Sequence, residues 1–251
     1  MFDIETSPIK AYIWGTWKEN IHLNQIIDDW FVICWSAKWL YSNEMMGECL
    51  TSEEALRKDD SRVVSSLWNL FNQADIIIAH NAKKFDEPRM NTRFIVNNLS
   101  PVKSHYTIDT LIVARKQFGF TSNKLDALAE YFRLQPKLDT DFDLWRLCME
   151  GKQNALDYMF KYNKYDVELL EQVYIKLRPW IKGHPNIGNY IDSPFTICSN
   201  CGSDDLEIIE GEFYYTSVAK YQLYRCKKCG AITRGRKNLN NNKVAGTSIF
   251  K

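Results

Sequence analysis

The sequence predicts a mixed α/β domain followed by a small cysteine-framed β unit, and three observations carry that expectation. Aromatic and β-branched runs near the start give way to alternating helical and extended patterns. Carboxylates recur at the ends and on the faces of those elements, and two Cys-x-x-Cys pairs follow near the C-terminus. A hydrophobic content of 45% and an aromatic content of 14% place the 251 residues among folded chains rather than disordered ones.

Residues 2–7, 12–17 and 30–40 read as strands separated by polar breaks, an opening antiparallel meander. A helix is expected at 62–72, then a strand at 75–80 whose isoleucine run suits burial on both faces. Helices follow at 88–97, 110–118, 125–132 and 154–177, so the main domain occupies residues 1–178. Pro179, Pro185 and Pro194, with Gly183 and Gly188, break any long element and mark 179–194 as a linker. A β-rich unit at 195–237 and a basic, mobile tail at 238–251 complete the chain.

No apolar run is long enough to cross a bilayer, which excludes membrane-embedded functions built on helices. Asp3 and Glu5 stand where a secretory leader has its basic and apolar stretches, so a cytoplasmic protein is expected. Residues 220–251 hold nine Lys or Arg and no acid, so with a net charge of +1 the remainder sums to −8. A basic end beside an acidic body suits a protein that handles nucleic acid and cations.

Asp3 and Glu5, two apart on a strand, leave the same face, where one hard cation could touch both. They could equally be the solvated side of an ordinary strand. Asp86 lies where a buried strand gives way to a helix, the edge at which α/β sheets collect ligands, although a helix cap followed by Pro88 has the same pattern. On the last helix, Met159, Leu170, Val173 and Leu177 mark a buried stripe, with Tyr162 and Asp166 in or beside it. An inward carboxylate is costly unless it is paired or binds metal, and the stripe offers no nearby base, though an Arg from elsewhere could serve.

Asp3-Ile4-Glu5-Thr6, Asn81-x-x-x-Phe85-Asp86 and Tyr162-x-x-x-Asp166 together resemble the three exonuclease motifs of the ribonuclease H-like DEDD superfamily, tyrosine subtype. The spacing inside the second motif most resembles the exonuclease domain of family B DNA polymerases and related stand-alone phage and bacterial nucleases. Ile108-Asp109-Thr110-Leu111 and Asn123-Lys124-Leu125-Asp126 also resemble segments between the second and third motifs. The resemblance implies a ribonuclease H-like mixed sheet flanked by helices and a metal-dependent 3′-5′ exonuclease on single-stranded DNA, with RNA as an alternative substrate. It implies that Asp3, Glu5, Asp86 and Asp166 hold two Mg²⁺ or Mn²⁺ ions. It further implies that Tyr162 orients the attacking water, and that Thr6, Asn81 and Phe85 line the terminal nucleotides. Lys161 stands where the histidine subtype has its catalytic His. With only Met1 and Phe2 before Asp3, either a shortened first strand or a trimmed chain is expected. A structure-specific endonuclease on the same fold and a non-catalytic adaptor stay open as alternatives.

Cys198-x-x-Cys201 and Cys226-x-x-Cys229 enclose 24 residues, and each pair is followed by a glycine, Gly202 or Gly230. Four thiolates at this spacing predict one structural Zn²⁺ in a zinc ribbon, with disulfides as the competing reading. Arg225, Lys227, Lys228, Arg234, Arg236 and Lys237, interleaved with Tyr221 and Tyr224, could follow a nucleic-acid backbone. The ribbon could instead dock a polymerase or another repair protein, or present a solvated face.

Overall fold

The computed structural model describes residues 1–136 and 138–240, and the chain divides into two compact units between Tyr174 and Ile175. Of the basic tail expected at 238–251, residues 241–251 lie outside the described residues.

The first unit opens with β1 (Phe2–Thr6), in which Phe2, Ile4 and Thr6 are buried while Asp3 and Glu5 share the other face. A short hairpin follows, β2 (Lys10–Ala11) with β3 (Ile26–Asp28). β4 (Val32–Ala37), buried throughout, then pairs antiparallel with β1 from Phe2↔Ala37 to Thr6↔Val32. β5 (Met46–Cys49) completes a sheet in the order β1-β4-β5. Of the three strands expected in the opening meander, 2–7 and 30–40 pair as β1 and β4, and the third strand of the sheet is β5 instead of 12–17. Residues 12–17 are not a strand: all six are exposed, and their aromatics cover no core. Their apolar character, read as burial, has no sheet face to serve.

The short first strand is nevertheless anchored. The Met1 amino group donates to the Lys38 carbonyl at 2.8 Å, and Lys38 N–H donates to the Met1 carbonyl at 3.0 Å. Asp3 thus sits within a paired register rather than at a frayed end.

Helices and strands then alternate: α1 (Ser52–Arg57), α2 (Ser61–Phe71), β6 (Ile76–Ala79), α3 (Asp86–Val96) and β7 (Tyr106–Asp109). α4 (Thr110–Gln117), α5 (Leu125–Tyr131), α6 (Phe142–Met149) and the long α7 (Gln153–Leu177) complete the series. The helices at 62–72, 88–97, 110–118, 125–132 and 154–177 are found within two residues of expectation, whereas α1, β5, β7 and α6 were not anticipated. α1 carries a reciprocal cap that its sequence does announce: Glu54 N–H donates to Thr51 Oγ1 at 3.2 Å, and Thr51 N–H to Glu54 Oε2 at 2.8 Å. β6 and β7 are parallel, and β6 lies beside β1.

The core is made where this sheet meets α2, α3 and α7. Ile4, Ile33, Leu67, Phe94 and Met159 are all essentially inaccessible, and Phe2 meets Phe71 edge-on at 4.9 Å. Burial of this many large side chains, each contributing about 1.5–3 kcal/mol, is what fixes the positions of β1 and α7.

The second unit holds β8 (Leu206–Tyr215), β9 (Lys220–Cys226) and β10 (Ile232–Arg234), an antiparallel sheet in the order β10-β9-β8. Short turns occur at Arg178–Trp180 and Ile187–Asn189, and Ile187 N–H donates to the Ser199 carbonyl at 2.8 Å.

Candidate functional site

β1 delivers Asp3 and Glu5, and α7 delivers Asp166, so that one carboxylate oxygen from each lies within 4.8 Å of the others. Three carboxylates at that separation repel one another unless a cation or protons intervene. The arrangement is therefore suited to hard divalent ions, which take oxygen ligands.

Asp86 is not one of these three but stands against the same strand. It occupies the first turn of α3 and is 1% exposed, and the Ile4 amide of β1 donates toward its carboxyl. Burial, with the charges of Asp109 and Glu5 adding to it, pushes its pKa up to about 8. Its Oδ1 is buried without a hydrogen-bond partner among the described residues. It does not act as the side-chain cap of α3, the role its sequence position also allowed. A buried carboxylate oxygen with an open lone pair, beside three clustered acids, fits a metal ligand better than a structural acid.

Tyr162 lies one turn before Asp166 on α7, buried, with its ring edge-on to Trp145 at 6.4 Å. Asn163, which sequence reasoning passed over, is fully buried and its Nδ2 donates to Asp3 Oδ2 at 2.7 Å. Its Oδ1 likewise has no partner among the described residues. The signal was present: seven residues before Leu170, Asn163 falls about 20° from the centre of the apolar stripe, where a polar side chain needs a reason.

The loop after β6 is shaped by its own backbone turn and by one side chain from β7. Asn81 adopts φ 73°, and its carbonyl accepts from Phe85 N–H at 3.0 Å, turning the chain into α3. Asp109, at the end of β7, clamps this loop by accepting from Asn81 N–H and Lys83 N–H, both at 3.1 Å. The same carboxylate accepts from Leu111 N–H at 3.0 Å and so caps α4. The clamping role of Asp109 requires the β6–β7 pairing, which its local motif does not reveal. Phe85 is half-buried beneath the Arg89 guanidinium, 4.5 Å from its ring centre, and Arg89 Nη1 donates to Thr6 Oγ1 at 2.5 Å. Thr6, Phe85 and Arg89 thus form one patch at the end of β1.

The second unit gathers Cys198, Cys201, Cys226 and Cys229 so that all four sulfurs lie within 4.8 Å of one another. The Sγ–Sγ separations are 3.8 Å for Cys198–Cys229 and 3.6 Å for Cys201–Cys226. A disulfide requires about 2.05 Å. A tetrahedron of sulfurs around zinc at about 2.3 Å has edges of about 3.8 Å, which these distances match. Two equivalent turns build the cluster: Gly202 N–H donates to the Cys198 carbonyl and Gly230 N–H to the Cys226 carbonyl, both at 2.8 Å. Gly202 and Gly230 have φ of 76° and 78°, the left-handed conformation that favours glycine. The cluster is a closed four-thiolate set, compatible with the structural zinc of a small ribbon.

Among known proteins, no curated protein matches the chain. A family model, that of the RNase_H superfamily, matches residues 41–178. The match includes Asp86, Tyr162 and Asp166 and begins after Asp3 and Glu5, which β1 brings to the same place. Because it spans more than half of the sequence, and the sheet and helices have the corresponding mixed α/β order, the chain belongs to the RNase H superfamily, whose nuclease character implies a nucleic-acid substrate.

Proposed function

We propose that the protein is a metal-dependent 3′-5′ exonuclease of the tyrosine DEDD type, removing nucleoside monophosphates from single-stranded DNA. The observation that carries this reading is the convergence of Asp3, Glu5 and Asp166, with the buried, partnerless Asp86 Oδ1 against the same strand. Two Mg²⁺ or Mn²⁺ ions, when bound, would supply an activated water and neutralise charge at the leaving oxygen.

The chain's own residues account for the remainder. Asp3, Glu5, Asp86 and Asp166 hold the ions, and Asn163 fixes the orientation of Asp3 by its amide hydrogen bond. Tyr162, one turn from Asp166, orients the attacking water through its hydroxyl. Thr6 and Phe85 receive the terminal nucleotides, and Asn81 holds the loop that presents them. Hydrolysis is direct, with no covalent intermediate on the protein.

Incubating the full-length protein with a 5′-labelled single-stranded DNA, with and without Mg²⁺ or Mn²⁺, tests the reading. A ladder that shortens stepwise from the 3′ end only with metal supports it. Internal cleavage of a circular single strand would point instead to an endonuclease, and a substrate that binds but is never cut would point to an adaptor.

A further inference from the structure

Residues 12–24 form an arm between β2 and β3 in which large apolar side chains face water. Trp14 is 96% exposed and Trp17 83%, with Tyr12 and Leu23 beside them also well exposed. The arm is nonetheless tied. Its neck is closed by Tyr12 N–H donating to the Gln25 carbonyl at 3.0 Å and Gln25 Nε2 donating to the Tyr12 carbonyl at 2.9 Å. Its tip is held by Trp14 N–H donating to Glu19 Oε1 at 3.0 Å. Indoles presented from a closed loop with no face of their own to cover mark a surface that awaits a partner.

The position of the arm identifies that partner. Its two roots are joined by Ser7 N–H donating to the Phe31 carbonyl at 2.9 Å and by Phe31 N–H donating to Ser7 Oγ at 3.0 Å. One root continues directly from β1, which carries Asp3 and Glu5. The other passes through Trp30, whose ring lies 4.7 Å from the Arg89 guanidinium, the same group that covers Phe85. Contacts among Phe85, Arg89 and Trp30 therefore link Thr6, at the end of β1, to the roots of the arm. The exposed cations Lys10 and Lys18 flank the indoles, while the acid Glu19 is engaged with the Trp14 amide. Aromatic faces spaced by cations are what a flexible single strand needs, since every base stacks and every phosphate takes a positive charge.

We propose that Trp14 and Trp17 are base-stacking residues that hold a single nucleic-acid strand on the 5′ side of the end lying at Thr6 and Phe85. The identity of the strand as the substrate rests on the nuclease reading; its binding by the arm does not require that it be cut. The arm is a positioning device that favours longer strands over short ones.

The test is fluorescence anisotropy with the full-length chain, no added Mg²⁺ or Mn²⁺, and labelled single strands of about 4 and about 16 nucleotides. Wild type binds the longer strand more tightly. The double variant Trp14→Ala/Trp17→Ala loses about 10-fold or more on the longer strand and much less on the short one, since stacking contributes about 1–3 kcal/mol per base. Trp14→Phe/Trp17→Phe, which keeps the rings, recovers most of the loss, and all three proteins melt at the same temperature. The proposal is overturned if wild type shows no preference for length, if the alanine variant binds the longer strand as wild type does, or if it loses equally on both. A wild type that shows these binding differences but shortens no strand with Mg²⁺ or Mn²⁺ would overturn the exonuclease assignment and leave the arm's role standing.

Discussion

The two units hold candidate metal sites of opposite kinds, and the difference lies in what makes each site exist. In the first unit, the candidate carboxylates sit on β1, α3 and α7, elements already fixed by a large apolar core. In the second, the buried apolar residues described beyond Arg178 are few, Cys198, Ala219, Cys226 and Ala231, and two of them belong to the four-cysteine cluster. The first unit has a large apolar core and gathers acids that repel one another. The second has little apolar burial besides its four-cysteine cluster. Removing an ion should therefore cost function in one unit and structure in the other.

The largest expected effect breaks the second unit. Zinc removal by chelation, or Cys226→Ser, should unfold it while the first unit keeps its secondary structure, because structural zinc contributes about 10–16 kcal/mol to units of this kind. Limited proteolysis before and after chelation reads this directly; resistance that survives loss of the zinc would show that the small sheet holds itself together.

Asp3→Asn and Asp166→Asn should do the reverse. Each should lower nuclease activity by more than about 100-fold while leaving the melting temperature unchanged or raised, since loss of one charge relieves the cluster. Turnover at the wild-type rate in either variant would remove the carboxylates from the mechanism.

Asp86 sharpens the contrast through pH. Its folded pKa of about 8 lies above the ordinary value of 3.8, so it keeps its proton in the metal-free folded protein after the unfolded chain has lost it. The stability it contributes is fully present below about pH 4 and is lost progressively as pH rises towards 8. Asp86→Asn should flatten that slope and stabilise the metal-free protein at pH 8 by on the order of 2 kcal/mol, with little effect at pH 4. Thermal melts across this range provide the check, and parallel curves for the two proteins would contradict the assignment.

Tyr162→Phe should have the smallest effect, slowing cleavage about 10-fold, the equivalent of one hydrogen bond of about 1.4 kcal/mol. Single-turnover rates at saturating metal separate this from a defect in ion binding. A loss as large as that of Asp166→Asn would mean that the hydroxyl does more than place water.

How much of this could be read in advance depended on whether the signal was local. Asp3 and Glu5 share a strand face by period two, and Tyr162 and Asp166 share a helix face by one turn, so both pairs were visible. β5, β7 and α6 were not, because each is only four to eight residues long and owes its existence to neighbours rather than to its own pattern. The exposed arm was misread for a related reason. Tyr12, Trp14 and Trp17 look like strand residues until the sheet that would bury them turns out to be elsewhere.

By itself the sequence determined the alternation of elements, the four cysteines with their two glycine turns, and the carboxylates on their faces, because each follows from spacing along one element. Only the tertiary structure decided that Asp3, Glu5 and Asp166 meet, that Asn163 holds Asp3, and that Asp109 clamps the loop before Asp86. Asn163 and Asp3 are 160 residues apart, and such pairings are set by the burial of a shared core, which no local period encodes.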